Sequence, residues 1–139
     1  MSFDFNKYIG IPWKCGCATM EGADCFGIVI MIMQEAFGME LEHYDPTTID
    51  NPQKATQAVT HGMAVNMDTG KWLQVDEPKE LDVVFMIGRV SGRPEHVGVY
   101  LARGRVLHSL QRDTGISEIH FLKFIKPLFK RLEYYRYVG

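Results

Sequence analysis

The most regular hydrophobic pattern of the chain begins at Cys25, where a short polar segment changes into a run of almost only apolar residues that ends before Gly38. A run of this length without a continuous polar face predicts a buried helix. Asp24 is a favourable N-cap for it, and glycine is typical just beyond a helix C-terminus. The pattern therefore predicts a helix from Cys25 to Phe37 with a cysteine in its first turn.

The second half of the chain consists of short apolar or alternating segments, which predict strands. Residues 72–75 are expected to form a strand or part of a cleft wall; further strands are predicted at 82–87, 97–101, 105–109, 117–121 and 132–138, and short helices at 3–9, 50–62 and 122–129. The order of elements favours an α+β fold, with the Cys25 helix packed on a central antiparallel sheet or small barrel. We expect one domain, residues 1–139.

Two histidines lie on the strands of a predicted hairpin, His96 before the turn signal Arg103-Gly104 and His108 after it. Successive side chains of a strand point to opposite faces, so a two-residue loop would separate the two rings. An odd-numbered or bulged loop, with Gly104 at positive φ, would bring both to one face. Gly98 would then lie opposite His108, and no side chain would separate the imidazoles.

Cys25 and the histidines together indicate nucleophilic chemistry. The free N–H groups and the positive end of the helix dipole would stabilise a thiolate and lower the pKa of Cys25 from the usual value of about 8.5. The same N–H groups could hold an oxyanion. A nucleophile, a base and a group that orients the base form the arrangement of thiol acyl-transfer enzymes. A buried structural cysteine and structural histidines are the alternatives that these residues leave open.

The segments that carry these residues resemble the NlpC-type cell-wall cysteine peptidases, a papain-like family. The resemblance runs from Ile9 to Ser109 and includes, in family order, Gly10-Ile11-Pro12-Trp13-Lys14-Cys15-Gly16, Asp24-Cys25-Phe26-Gly27-Ile28-Val29, Asp82-Val83-Val84-Phe85, and His96-Val97-Gly98-Val99-Tyr100 followed by His108-Ser109. The step of twelve residues from His96 to His108 also fits. The form Gly92-Arg93-Pro94-Glu95-His96-Val97-Gly98 is most similar to phage-tail and gene-transfer members.

The resemblance implies a papain-like fold, with Cys25 as nucleophile, His96 as general base and His108 as the residue that orients it. It implies a cysteine endopeptidase that needs no metal or organic cofactor. The implied substrate is the peptidoglycan stem peptide, cut between D-γ-glutamate and the diamino acid.

Four residues are expected to bind substrate: Trp13, Asp24, Phe26 and Arg93. Trp13 stands where the family usually has tyrosine, and its indole N–H can donate a hydrogen bond but cannot accept one. Phe26 stands where serine is frequent, which changes the family's usual contact with the substrate's terminal amine. Arg93 could bind a carboxylate of the stem peptide.

Composition argues against other classes. The net charge of −2 and the lack of a basic stripe argue against a nucleic-acid partner. No segment reaches the roughly 18 apolar residues of a membrane span, and residues 1–7 lack the pattern of a signal peptide. We therefore expect synthesis in the cytoplasm and no membrane partner. Access to the wall would come through lysis or through assembly into a virion, with phage-tail proteins as partners.

Several alternatives remain open from the sequence. Cys15 and Cys17 are separated by one residue, which is poor spacing for a disulfide or a zinc clip. Incidental thiols are favoured over a metal site built from these two residues, Cys25 and a histidine. An inactive tail-assembly protein that keeps the fold, and a thiol amidase or acyltransferase with the same residues, are the other possible functions.

Overall fold

The computed structural model describes residues 3–39, 41, 70–109 and 115–139. Helix α1, Cys25–Phe37, has the predicted limits at both ends. The Asp24 side chain accepts a hydrogen bond from the N–H of Gly27 at 2.7 Å, and Gly38 ends the helix with a φ of +66°. Local signals at the two ends are therefore sufficient to explain where α1 begins and ends.

The strands form a short ribbon and one large antiparallel sheet. The ribbon pairs β1, Ala18–Thr19, with β2, Gly22–Ala23. The sheet contains six strands in the order β3-β8-β4-β5-β6-β7. Their bounds are β3 Trp72–Val75, β4 Val83–Ile87, β5 Pro94–Tyr100, β6 Arg105–Ser109, β7 Ser117–Phe121 and β8 Arg131–Tyr137. This is the predicted α+β architecture.

Helix α1 packs on one face of the large sheet, which we call the α1 face. Phe26, Ile28, Val29, Ile32 and Met33 are fully buried there, in one cluster with residues of β4, β5 and β6 that alternate along each strand: Val83, Phe85, Val97, Val99 and Leu107. The residues between them point to the other side, which we call the far face. A second cluster, Val84, Met86, Val106, Leu122, Ile125 and Tyr134, covers part of the far face.

Three predicted elements differ from the structure by more than one residue at an end. The helix expected at 3–9 is a single 3-10 turn, Asn6–Tyr8. The helix expected at 122–129 is a short α2, Leu122–Ile125, followed by the 3-10 turn Lys126–Leu128, where Pro127 has no N–H to continue the helix. Strand β5 begins three residues earlier than expected, at Pro94, because it pairs with β4 as far as Ile87 through a register shift.

The predicted strand at 72–75 is present and pairs with β8. The helix expected at 50–62 lies outside the described residues. Within the ranges that the structure describes, no helix is both long enough and apolar enough to span a bilayer.

Candidate active site

The hairpin between β5 and β6 has the odd-numbered loop that the sequence predicts. The strands pair at Val99 with Leu107 and at Tyr100 with Val106. The N–H of Leu101 donates to the carbonyl of Arg105 at 2.8 Å, so residues 102–104 form a three-residue loop. Gly104 has a φ of +70°. The prediction of an odd loop with a left-handed glycine is confirmed.

His96 and His108 therefore share the far face, and their rings are in direct contact. Nε2 of His96 and Nδ1 of His108 are 2.8 Å apart. Both side chains are buried, with 6% and 4% exposed. A methyl group on Gly98 would lie 3.1 Å from Cβ of His108 and 2.8 Å from the carbonyl oxygen of Leu107, so only glycine leaves room at this position. The predicted pairing of the two imidazoles is thus present.

The environment of His96 keeps its ring neutral. Burial lowers the pKa of His96 well below its usual value, and the neighbouring His108 lowers the pKa further. Because Nε2 bonds to His108, Nδ1 is the ring nitrogen of His96 that remains to take a proton from a nucleophile.

Cys25 lies at the amino end of α1, next to the point where β5 and β6 stop pairing. The N–H of Tyr100 donates to the carbonyl of Asp82, the residue before β4, and the N–H of Leu101 donates to the carbonyl of Arg105 on β6. Backbone N–H groups point alternately to the two sides of a strand, so the N–H of Val97 points to the same side as that of Leu101, towards β6. Val97 lies beyond Val99, the last residue of β5 that pairs with β6. This N–H bonds to the Cys25 sulfur. The thiol is therefore held beside the backbone of the residue that follows His96.

The expected lowering of the pKa of Cys25 is wrong for this structure. Burial raises the pKa of the thiol strongly, and the carboxylate of Asp24 raises it further. Hydrogen bonds from the N–H groups of Val97, Phe26 and Cys25 itself act in the opposite direction and are outweighed. The resting state of Cys25 is therefore a thiol, and transfer of its proton to the neutral imidazole of His96 remains a prediction.

Two of the expected substrate-binding residues have structural roles instead. Asp24 is 1% exposed, and its two carboxylate oxygens accept hydrogen bonds from the N–H groups of Gly27 and Gly16 at 2.7 and 2.9 Å. Phe26 is completely buried in the α1 core. Asp24 therefore caps α1, and Phe26 packs in the core beneath the helix. Neither residue presents its side chain to a ligand.

The other two expected substrate-binding residues lie at accessible positions. Trp13 is half-buried, in a segment whose neighbours Pro12 and Lys14 bond to the backbone of Ala23, two residues before Cys25. Arg93 is exposed in the turn between β4 and β5, three residues before His96. Their contact with substrate remains a prediction.

Sequence reasoning missed a third histidine on the far face. Nε2 of His108 is 2.7 Å from Nδ1 of His120 on β7. Nε2 of His120 is in turn 3.5 Å from a carboxylate oxygen of Glu118. The available signal was a second step of twelve residues, from His108 to His120, within a predicted strand.

The described residues include no group of three or more histidine, cysteine, aspartate or glutamate side chains arranged to hold a metal ion. His96, His108 and His120 do not converge on one point: the ring nitrogens that face one another are joined in two hydrogen bonds, from His96 to His108 and from His108 to His120.

Two curated proteins illustrate the sequence similarity. The chain is 28% identical over 109 residues to "Gamma-DL-glutamyl hydrolase" of Bacillus subtilis (strain 168) and covers 22% of that protein. It is 27% identical over 105 residues to "Murein DD-endopeptidase MepS/Murein LD-carboxypeptidase" of Escherichia coli (strain K12) and covers 45% of it. These matches include 78% and 76% of the present chain. The chain thus spans less than half the length of either relative.

Solved structures share the fold. The NlpC/p60 domain of the peptidoglycan hydrolase SagA superposes with a TM-score of 0.55 at 22% identity, over 86% of this chain and 84% of that one. An NlpC/P60 family protein from Bacillus cereus ATCC 10987 superposes with a TM-score of 0.65 at 18% identity, over 95% of this chain and 37% of that one. The sequence profile of the NlpC/P60 family matches residues 10–133, which is most of the chain, and the protein therefore belongs to the NlpC/P60 family.

Proposed function

We propose that this chain is a cysteine peptidase that hydrolyses an amide bond in the stem peptides of bacterial peptidoglycan. The observation that supports this most directly is the buried pair of His96 and His108, 2.8 Å apart, on the hairpin that also gives Cys25 a backbone hydrogen bond. The relatives are named as a γ-glutamyl hydrolase and as murein peptidases, which agrees with this substrate.

In the proposed reaction, the sulfur of Cys25 attacks the amide carbonyl carbon while its proton moves to Nδ1 of His96. The carbon–nitrogen bond then breaks, and His96 gives the proton to the leaving amine. Water attacks the thioester, His96 takes a proton from that water, and the carboxylic acid product leaves as the thiol is restored. Because burial raises the pKa of the Cys25 thiol, a proton transfer that accompanies the attack is favoured over one that precedes it.

The bond that we propose is the one between D-γ-glutamate and the diamino acid. The names of the two relatives refer to different bonds, a γ-glutamyl bond in one and DD and LD bonds in the other. A set of defined muropeptides distinguishes these cases, because each bond leaves a different pair of new amine and carboxyl termini.

The test is digestion of purified sacculi and of these muropeptides, followed by mass spectrometry of the new termini. We expect wild-type protein to release a free diamino-acid amine and Cys25→Ala to release none. Cys17→Ala is the matched control, because it removes a half-buried thiol near α1 without removing the proposed nucleophile. Cleavage that persists in Cys25→Ala, or no cleavage by wild-type protein, would contradict the proposal.

A non-catalytic protein of a phage tail is the second candidate. The raised pKa of Cys25 and the presence of Trp13 where the family usually has tyrosine both favour it. The form of residues 92–98 supports a place in the tail for either candidate. Detection of the protein in purified virions by immunoblot tests that location, and the muropeptide assay separates an active enzyme from an inactive one.

A further inference from the structure

Three histidine rings form a continuous chain across three strands of the sheet. Nε2 of His96 is 2.8 Å from Nδ1 of His108, and Nε2 of His108 is 2.7 Å from Nδ1 of His120. Neighbouring rings have centroids 5.0 Å apart and are tilted by 69° and 64°. The same nitrogen, Nε2, thus faces outward from each ring to the next.

The register of the strands explains this arrangement. On β6 and β7, His108 pairs with Glu118 and Val106 pairs with His120, so both residues of β7 share the far face with His108. His120 is placed one step diagonally from His108, within reach of a long side chain. The side chain of His120 is 41% exposed and that of Glu118 is 29% exposed, whereas His96 and His108 are buried. The chain of rings therefore leads from the buried site to the surface.

The number of protons on the chain limits its possible states. A neutral imidazole carries one proton, so three neutral rings carry three. When both ring-to-ring hydrogen bonds are intact, each holds one proton. One proton then remains for the two free ends, which are Nδ1 of His96 and Nε2 of His120. Only the state with this proton on His120 leaves Nδ1 of His96 able to accept the proton of Cys25.

Glu118 favours this productive state. A carboxylate accepts hydrogen bonds and attracts a proton-bearing nitrogen, but it repels a nitrogen lone pair. Its oxygen lies 3.5 Å from Nε2 of His120, within ion-pair range although longer than an ordinary hydrogen bond. The charge of Glu118 thus acts on the end of the chain that is opposite to His96.

We propose that His120 and Glu118 are positioning residues that set the tautomers of His108 and His96, so that Nδ1 of His96 is the proton acceptor for Cys25. This inference rests on the proposed function of the site. The chain of rings also lets positive charge leave His96. When His96 becomes an imidazolium during the attack, each hydrogen bond can pass a proton to the next ring, and the charge moves towards Glu118.

The first test measures the tautomers directly and needs no substrate. Ring nitrogen NMR of protein labelled with ¹⁵N-histidine distinguishes protonated from unprotonated nitrogens. At neutral pH we expect all three rings of the wild type to carry the proton on Nε2. A proton on Nδ1 of His96 in the wild type would overturn the proposal, whether or not the protein cleaves peptidoglycan.

The second test separates positioning from packing. His120→Leu removes the acceptor for His108 and should lower kcat about tenfold, a part of the 10²- to 10⁴-fold that a general base contributes, with KM unchanged. His120→Asn places an amide oxygen near the position of Nδ1 and should restore most of kcat. Equal loss in both variants, or wild-type kcat in His120→Leu with an unchanged NMR pattern, would overturn the proposal.

Glu118→Gln tests the role of the charge, and Asp76→Asn is the matched control because it removes an exposed carboxylate between β3 and β4. We expect Glu118→Gln to lower kcat several-fold and to populate Nδ1-protonated His96, while the control changes neither. Identical results for the two variants would contradict the role of Glu118. Both positions are accessible to solvent, so this comparison remains informative if His120→Leu does not fold.

Discussion

The nucleophile and the histidines of this site are held by different kinds of interaction. Cys25 is positioned mainly through main-chain groups: the N–H of Gly27 that the Asp24 carboxylate caps, the carbonyl of Cys17 that α1 approaches closely, and the N–H of Val97. His96 and His108 are positioned by hydrogen bonds between side chains that lie on the opposite face of the sheet. The first part is therefore sensitive to main-chain shape, and the second is sensitive to the protonation state.

The substitution His96→Gln should have the largest effect on the histidine pair. The amide of glutamine can retain a hydrogen bond near Nδ1 of His108, but it has no group that accepts the thiol proton. If His96 is the general base, kcat/KM on a muropeptide should fall by about 10²- to 10⁴-fold, with little change in melting temperature. Activity within a few-fold of wild type would show that another group takes the proton.

Two glycine substitutions compare the main-chain setting of Cys25 with the histidine pair, through the free energy of unfolding of each variant. A methyl group on Gly27 would lie 2.0 Å from the carbonyl oxygen of Cys17, whereas one on Gly98 would meet the Val106 side chain at 2.7 Å and the Leu107 oxygen at 2.8 Å. We expect Gly27→Ala to cost about 3 kcal/mol in the free energy of unfolding and Gly98→Ala about 1–2 kcal/mol.

The difference arises because both methyl groups would meet a backbone oxygen, but the overlap with Cys17 is much deeper than the overlap with Leu107. The Val106 side chain, the other neighbour of Gly98, can turn away. The gain in helix propensity from Gly27→Ala, about 1 kcal/mol, does not offset the overlap. Urea denaturation of both variants measures the two costs. A smaller loss in Gly27→Ala than in Gly98→Ala would mean that α1 is not fixed by this approach.

Alkylation tests the raised pKa of Cys25. Iodoacetamide reacts with thiolates, so a buried thiol with a raised pKa should react at least about tenfold more slowly at pH 7 than the half-buried Cys15 and Cys17. The sequence alone predicts the reverse order near pH 6. Site-resolved mass spectrometry of the alkylated protein decides between them, and a fast, pH-independent reaction at Cys25 would indicate a resting thiolate–imidazolium pair.

The smallest expected effect is on stability as a function of pH. Because the pKa of His96 in the folded protein lies well below that of an unfolded histidine, about 6.5, the unfolded state binds more protons once the pH falls below that value. The contribution is fully present above pH 6.5 and is lost as the pH falls towards the folded pKa, about 1 kcal/mol between pH 6.5 and 5.5. Denaturant titrations at several pH values should show this slope, and it should be absent in His96→Gln.

Much of the nucleophile's setting is local and could be predicted from sequence. Asp24 and Gly38 mark both ends of α1, and hairpin parity predicts that His96 and His108 share a face. These inferences succeed because helix caps and strand alternation depend on residues close together in the chain. The position of β7 follows for the same reason, since its apolar residues Ile119 and Phe121 alternate with polar ones.

What could not be predicted depends on how distant segments pack. Phe26 would be apolar whether it bound substrate or packed in the core, and only the packing of α1 shows that it lies in the core. The direction of the Cys25 pKa follows from burial of the thiol, which a helix N-terminus considered alone does not include. His120 escaped notice because its partner, His108, is brought to it by strand pairing and not by a local motif.

Strand β6 also restricts where the gene for this protein can change in length. An extra residue in the loop at 102–104 lengthens the loop and leaves the pairs Val99–Leu107 and Tyr100–Val106 in place. A codon inserted within the strand, between Leu107 and His108, would instead move His108 from the far face to the α1 face. Length variation and inserted peptide tags should therefore be tolerated in the loop and not at this point of the strand.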